Sequence, residues 1–420
     1  MKITKVKAFQ IYDSRGLPTI ACEVTIDNKF KGLAKIPSGA STGKNEAYEL
    51  RDNDKTKWFG KGVSKAINNV NTSIANELIG FEAFKQKELD TLLIELDGTS
   101  EKKKLGANAI LAFSLAYCIA CSKAKEKELF NYIASDILKK DNSGIIFPIP
   151  FINVINGGKH ANNNLDFQEF MIVPLNQESF HETMRIASEC FMSIQNLLIA
   201  NNLSIAKGDE GGFSVNFNSP YEVLDFLSTA ITNIGYKLGE DVCFALDVAA
   251  SEFYKNGYYH LNINGKKENY SSNQLMNLYL DLCSQYPIIS IEDPFEENDF
   301  ESFAKLKSQL KNIQIVGDDL YCTNSRLLNI GIKANSTTAI LIKLNQIGTL
   351  SECLETIQKA QSAGIRTMIS HRSGETEDDF IADLCLATNS TQIKTGSMSR
   401  SERLSKYNRL LYVYEMLINK

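Results

Sequence analysis

Phe244-Ala-Leu-Asp247, Ile288-Ile-Ser-Ile-Glu292, Ile313-Gln-Ile-Val-Gly-Asp318, Ala339-Ile-Leu-Ile-Lys343, Thr367-Met-Ile-Ser-His371-Arg372 and Gln392-Ile-Lys394 are short apolar runs that each reach a charged or polar residue. After a first interval of 45 from Asp247 to Glu292, the end residues Asp318, Lys343, His371 and Lys394 follow at 26, 25, 28 and 23 residues. A repeat of about 25 residues holds one strand and one returning helix, so the stretch predicts a (β/α) barrel. In that architecture the carboxyl ends of the strands carry the chemistry, and these residues fall there.

Working outward, 420 residues exceed one ordinary domain and suit a barrel plus a smaller unit. The boundary is expected between Lys123 and Ile149, where Lys139-Lys-Asp-Asn-Ser-Gly144 reads as an exposed linker. The division is therefore an α+β domain over 1–135 and a barrel over 136–420. Residues 3–34 read as a strand meander, with Asp13-Ser-Arg-Gly16 and Pro18 at its first turn. Val63, Ile67, Val70, Ile74 and Leu78 have amphipathic helical spacing. The helix begun by Gly106-Ala-Asn-Ala is apolar all round, which predicts burial between layers. Leu165 to Val173 reads as a strand, Thr349 and Glu352 as a capping box, and Leu404 to Ile418 as a closing helix.

Ile36-Pro-Ser-Gly-Ala-Ser-Thr-Gly43-Lys44 nearly matches a phosphate-binding P-loop, but Gly39 and Gly43 enclose three residues and Asn45 follows the lysine. A glycine-hinged lid is the better reading. The net charge of −5 gives no electrostatic reason to expect nucleic acid. No stretch reaches the ~20 apolar residues of a membrane span, and the N-terminus lacks a signal peptide's apolar core. Nine scattered cysteines indicate a reducing, cytoplasmic setting, with Cys118 and Cys121 as core residues.

Asp247, Glu292 and Asp318 end successive strands. Three hard anionic oxygens describe a Mg²⁺ site better than a zinc site, although each taken alone also suits a cap or turn. Lys343 follows a buried run, and near cations its pKa is expected to fall, making it a general-base candidate. His371-Arg372-Ser373 is suited to anion recognition, and Lys394 adds a cation at the next strand end. Glu210, in Gly208-Asp-Glu-Gly-Gly212, would share a site with Glu169, raising one of the two pKa values and allowing a general acid.

These motifs, taken together and in order, closely resemble the enolase family. The resemblance rests on Asp13-Ser-Arg-Gly16, Ser38-Gly-Ala-Ser-Thr-Gly43, Glu49-Leu-Arg-Asp52, Gly106-Ala-Asn-Ala-Ile-Leu, Asn156-Gly-Gly-x-His160 and Gln168-Glu-Phe-Met171. It continues through Gly208-Asp-Glu-Gly-Gly212, Leu246-Asp-x-Ala-Ala-Ser-Glu252, Ser290-Ile-Glu-Asp293, Val316-Gly-Asp-Asp-Leu320, Ile342-Lys-x-Asn-Gln-Ile-Gly348, Ser370-His-Arg-Ser-Gly-Glu-Thr-Glu377 and Gln392-Ile-Lys-Thr-Gly396.

The resemblance implies a modified (β/α)8 TIM barrel with an antiparallel strand near its start, preceded by the smaller α+β domain. It implies glycolytic, reversible dehydration of 2-phosphoglycerate to phosphoenolpyruvate with two Mg²⁺ ions. Lys343 would be the base, Glu210 the acid and Glu169 its assistant. Asp247, Glu292 and Asp318 would hold the first metal, and Ser41 would join the second as the loop closes. Arg372 and Ser373 would bind phosphate and Lys394 the carboxylate side, while His160, Gln168 and His371 would line the pocket. A homodimer or higher homo-oligomer is implied as well. Leu17, and Phe-Ser-Val-Asn after Gly212, depart from the family's commonest pattern without removing a catalytic group. The alternatives are a paralogue acting on a phosphonate or other phosphorylated 2-hydroxy acid, or an additional surface role. In the latter, Lys420 would serve a lysine-binding partner such as plasminogen, from a surface or secreted pool reached without a signal peptide.

Overall fold

The computed structural model describes residues 1–40, 43–140, 144–175, 178–263 and 265–418. The expectations for Ser41 and Lys420, and the middle of the 139–144 linker, lie outside the described residues.

The N-terminal unit opens with an antiparallel meander of β1 (Ile3–Tyr12), β2 (Pro18–Ile26) and β3 (Phe30–Lys35), as the turn residues predict. β2 is central and buried along nearly its whole length. α1 (Gln86–Asp97) packs on α2 (Ala107–Ala124), and α2 lies against the sheet. α2 approaches so closely that a Cβ on Gly32 would stand 2.0 Å from the Ala116 carbonyl oxygen, so only glycine fits there. By length and composition this 18-residue helix passes for a membrane span, which the sequence reading had excluded; 83% of it is buried in the fold. Cys118 and Cys121 are buried and free, as their place in a core helix demands.

The second unit is a closed barrel of eight strands: β4 (Ile149–Asn156), β5 (Glu169–Pro174), β6 (Val242–Asp247), β7 (Ile288–Glu292), β8 (Gln314–Gly317), β9 (Ala339–Ile342), β10 (Arg366–Ser370) and β11 (Gln392–Lys394). β11 pairs with β4 and closes the ring. Every run quoted at the outset is a strand, ending at or one residue before its charged or polar residue. β5 alone runs antiparallel to both of its neighbours. The strand expected from Leu165 begins only at Glu169, because Leu165 and Phe167 are already drawn into the core.

Helices return along the outside of the barrel. α3 (Phe180–Ala200) and α4 (Pro220–Thr232) are capped by Ser179 and Ser219, and α5 (Ser272–Gln285) by a full capping box at Ser271. At α6 (Leu350–Ser362), Thr349 Oγ1 accepts from the Glu352 amide at 3.2 Å. The reciprocal half of the predicted box is replaced: the Glu352 carboxylate takes the Thr349 hydroxyl and Lys102 Nζ of the smaller unit.

α7 (Phe380–Thr388) and α8 (Ser401–Ile418) carry a second tie between the units. Arg409 donates to both oxygens of buried Asp383 at 2.8 and 2.7 Å and to Glu128 at 2.7 Å, and the Phe130 amide donates to Asp383 at 3.1 Å. Arg409→Met is expected to cost about 3 kcal/mol by stranding that carboxylate, lowering the thermal midpoint by several degrees. Asp383→Asn in the same chain should recover most of the loss. An unchanged midpoint in the single variant would show that the tie is not stabilising.

Candidate active site

The site is the rim where the carboxyl ends of the parallel strands meet. Register places its members: Glu292 lies beside Asp247 across β7 and β6, and Lys394 beside Ser370 across β11 and β10. Because β5 runs the other way, its first residue, Glu169, reaches the same rim and pairs with Asn156 and Asp247. Asp318, Lys343 and His371 each stand one residue beyond their strands. Glu210, His160 and Gln168 arrive on loops. His160, Gln168, Glu169, Glu210, Asp247, Lys343, His371, Arg372, Ser373 and Lys394 line one cavity.

Lys394 Nζ lies at the centre of this group, 2.8 Å from Asp247 Oδ2, 3.0 Å from Glu292 Oε1 and 3.2 Å from Glu169 Oε2. Lys343 pairs with Asp318, whose other oxygen accepts from Gln346 Nε2 at 2.9 Å. The three carboxylates expected to form one oxygen cluster are thus divided between two lysines. Asp318 instead lies within 4.8 Å of Asp293 and Asp319. Arg372 is neutralised by a two-pronged pair with Glu46, both contacts at 3.0 Å. Two ammonium groups therefore face five buried carboxylates: Glu169, Glu210, Asp247, Glu292 and Asp318. Burial and the neighbouring Asp247 push the Glu292 carboxyl well above its usual range, the sign of a site short of positive charge. Hard oxygen donors with excess negative charge fit a divalent cation of the magnesium type.

The fall in pKa expected of Lys343 beside Mg²⁺ and other cations belongs to the metal-loaded site; the protein groups alone act the other way. Burial works to lower the pKa, but Asp318 and Glu292 outweigh burial and hold the ammonium above its usual range. The Glu169–Glu210 pair does split, and the raised member is Glu169. Burial and the charge on Glu210 push Glu169 well up. Burial acts on Glu210 too, but His160 and His371 overcome it and hold Glu210 well below. Asn153 Nδ2 adds a 2.9 Å bond to Glu210 Oε2.

The lid's described parts are pinned to the barrel. Ser38 and Gly374 exchange backbone bonds at 2.7 and 2.9 Å, the Ala40 amide donates to Ser373 Oγ at 2.6 Å, and the Lys44 amide donates to Glu297 at 3.1 Å. Asn153, Glu46, Gln346 and Arg403 were not singled out from the sequence. Asn153, Glu46 and Arg403 lie at positions with no periodic or motif signal of their own, although Glu46 follows the glycine loop by three residues, while Gln346 belongs to the Ile342-Lys-x-Asn-Gln-Ile-Gly348 motif without an assigned role.

Two family models cover almost the whole chain: "Enolase, N-terminal domain" matches residues 3–133, and "Enolase, C-terminal TIM barrel domain" matches 144–420. The enolase of Mycoplasmoides gallisepticum is 50% identical over 430 residues, covering 100% of this chain and 90% of the relative. That of Mycoplasma genitalium is 50% identical over 422 residues, covering 98% and 92%. That of Ureaplasma parvum is 50% identical over 428 residues, covering 100% and 97%. With both halves matched and the rim carrying the expected residues together, the chain belongs to the enolase family.

Proposed function

We propose that this lyase dehydrates 2-phosphoglycerate reversibly to phosphoenolpyruvate, as the glycolytic enolases do, with Mg²⁺ held by Asp247, Glu292 and Asp318. The observation that carries the reading is the convergence, in one cavity, of a lysine base candidate, a pair of buried carboxyl groups and an anion-binding arginine.

Asp247, Glu292 and Asp318 would hold the metal, whose positive charge would offset these carboxylates and the charge that develops beside the substrate carboxylate. Lys343 takes the proton from C2. Glu210 supplies the proton to the departing C3 hydroxyl, with Glu169 beside it assisting. Arg372 presents its fork to the phosphate, where the Glu46 carboxylate now makes the same planar contact. Ser373 flanks it, Lys394 holds the carboxylate side, and His160, Gln168 and His371 wall the pocket.

The test is metal-dependent formation of phosphoenolpyruvate from 2-phosphoglycerate, followed by its ultraviolet absorbance after chelation and Mg²⁺ readdition. Product without added metal, or no product with it, would sink the assignment.

A cytoplasmic location is part of the proposal, supported by nine free cysteines. So is a homo-oligomer, supported by apolar side chains such as Phe59, 93% exposed, and Tyr12 and Tyr412, 59% and 56% exposed. A monomer mass by light scattering would remove that part.

A further inference from the structure

We infer that Arg403 fixes His371 as the neutral tautomer with its proton on Nε2, aimed at Glu210, and is thereby a positioning residue for that pair. Arg403 is fully buried, and its NH1 lies 2.6 Å from His371 Nδ1. A guanidinium has only N–H donors and no acceptor. At that distance Nδ1 must carry the lone pair, because an imidazolium or an Nδ1–H tautomer would set two N–H groups head to head. The ring proton is then on Nε2, where Glu210 Oε1 stands 3.3 Å away. This contact is long and poorly aligned, a geometry that catalytic hydrogen bonds tighten from as substrate arrives.

The arginine is itself held in place. NH1 also donates to the Arg372 carbonyl at 2.5 Å, and NH2 donates to the carbonyls of Ser373 at 2.6 Å and Asp209 at 3.1 Å. One side chain thus fastens the Glu210 loop to the His371–Ser373 loop. A Cβ on Gly396 would lie 2.7 Å from Arg403 Cδ and 2.8 Å from the Glu210 carbonyl, so the chain leaves room there for the arginine to pass. Charged groups facing the ring are Glu210, Arg403 and Lys394; burial, only partly opposed by Glu210, brings the ring's pKa down to about 3. With the Nε2 proton on the Glu210 side and Asn153 donating to the other carboxylate oxygen at 2.9 Å, Glu210 is flanked by two neutral donor groups.

Long-range ¹H–¹⁵N spectra of the full chain labelled at its four histidines read the tautomer directly. The His371 signals are assigned by substituting His160, His181 and His260 in turn with glutamine. The expected result is one unprotonated Nδ1 and one protonated Nε2 from pH 5 to 8. A protonated Nδ1, or an imidazolium, overturns the inference without reference to any variant. In Arg403→Gln an amide can turn its oxygen to the ring, so mixed tautomers are expected, with kcat down roughly tenfold to a hundredfold and KM little changed. Arg403→Lys keeps a donor-only group and should restore the Nε2–H signal. An unchanged tautomer in the glutamine variant would show that Arg403 does not set it. Should the glutamine variant fail to fold, the wild-type and lysine spectra still decide. The effect on kcat rests on the proposed reaction; the tautomer does not, because the spectra need no substrate.

Discussion

Lys343→Ala is expected to lower turnover by about a thousandfold or more and to stop exchange of the C2 proton with solvent deuterium. General-base catalysis contributes on the order of 10²–10⁴ in rate, and no other amine in the cavity is placed to replace it. Lys394, the other lysine among the described residues lining the cavity, is surrounded by Asp247, Glu292 and Glu169. Glu210→Gln separates the two half-steps. It should block loss of the hydroxyl while leaving measurable exchange at C2, since the lysine and its contact with Asp318 are untouched. Exchange that survives in Lys343→Ala and vanishes in Glu210→Gln would reverse the roles of base and acid. Both variants should fold. Alanine at 343 leaves Asp318 with its Gln346 bond, and glutamine at 210 still accepts from Asn153.

Glu292→Gln is expected to cost about a thousandfold in turnover, and to weaken Mg²⁺ binding as read by titration calorimetry. Metal stabilisation of developing charge is worth several kcal/mol, and each 1.4 kcal/mol is about tenfold in rate. Glutamine preserves the shape and one oxygen but removes the charge. The fold should survive, because Lys394 keeps Asp247 at 2.8 Å and Glu169 at 3.2 Å and is not left as an unpaired buried cation. Normal Mg²⁺ affinity together with normal turnover would take Glu292 out of the metal site. A large fall in the thermal midpoint with unchanged metal affinity would make it a structural partner of Lys394 instead.

The barrel and most of the rim were legible because both are written locally. A buried strand is a short apolar run, and its carboxyl end is the next polar residue, so Asp247, Glu292, Asp318, Lys343, His371 and Lys394 could be read directly from spacing. Glycine-bounded loops at Gly157 and Gly208 marked where His160 and Glu210 enter, since backbone that approaches a site closely needs glycine. Family resemblance assigned them roles.

What spacing cannot encode is which side chains meet. Glu169 begins its strand, and only the antiparallel pairing of β5 with β4 and β6 carries a first residue to a rim built from last ones. Glu46 and Arg372 are 326 residues apart, and Arg403 lies 32 residues beyond His371; packing of the lid base and the last helix onto the barrel brings them together. Protonation belongs to the same category. The sequence by itself determined the catalytic residue types and their strand ends. Only the tertiary structure decided that Asp318 meets Lys343 and that His160, His371 and Asn153 surround Glu210, because the charge state of a buried group depends on distance and desolvation rather than on order along the chain.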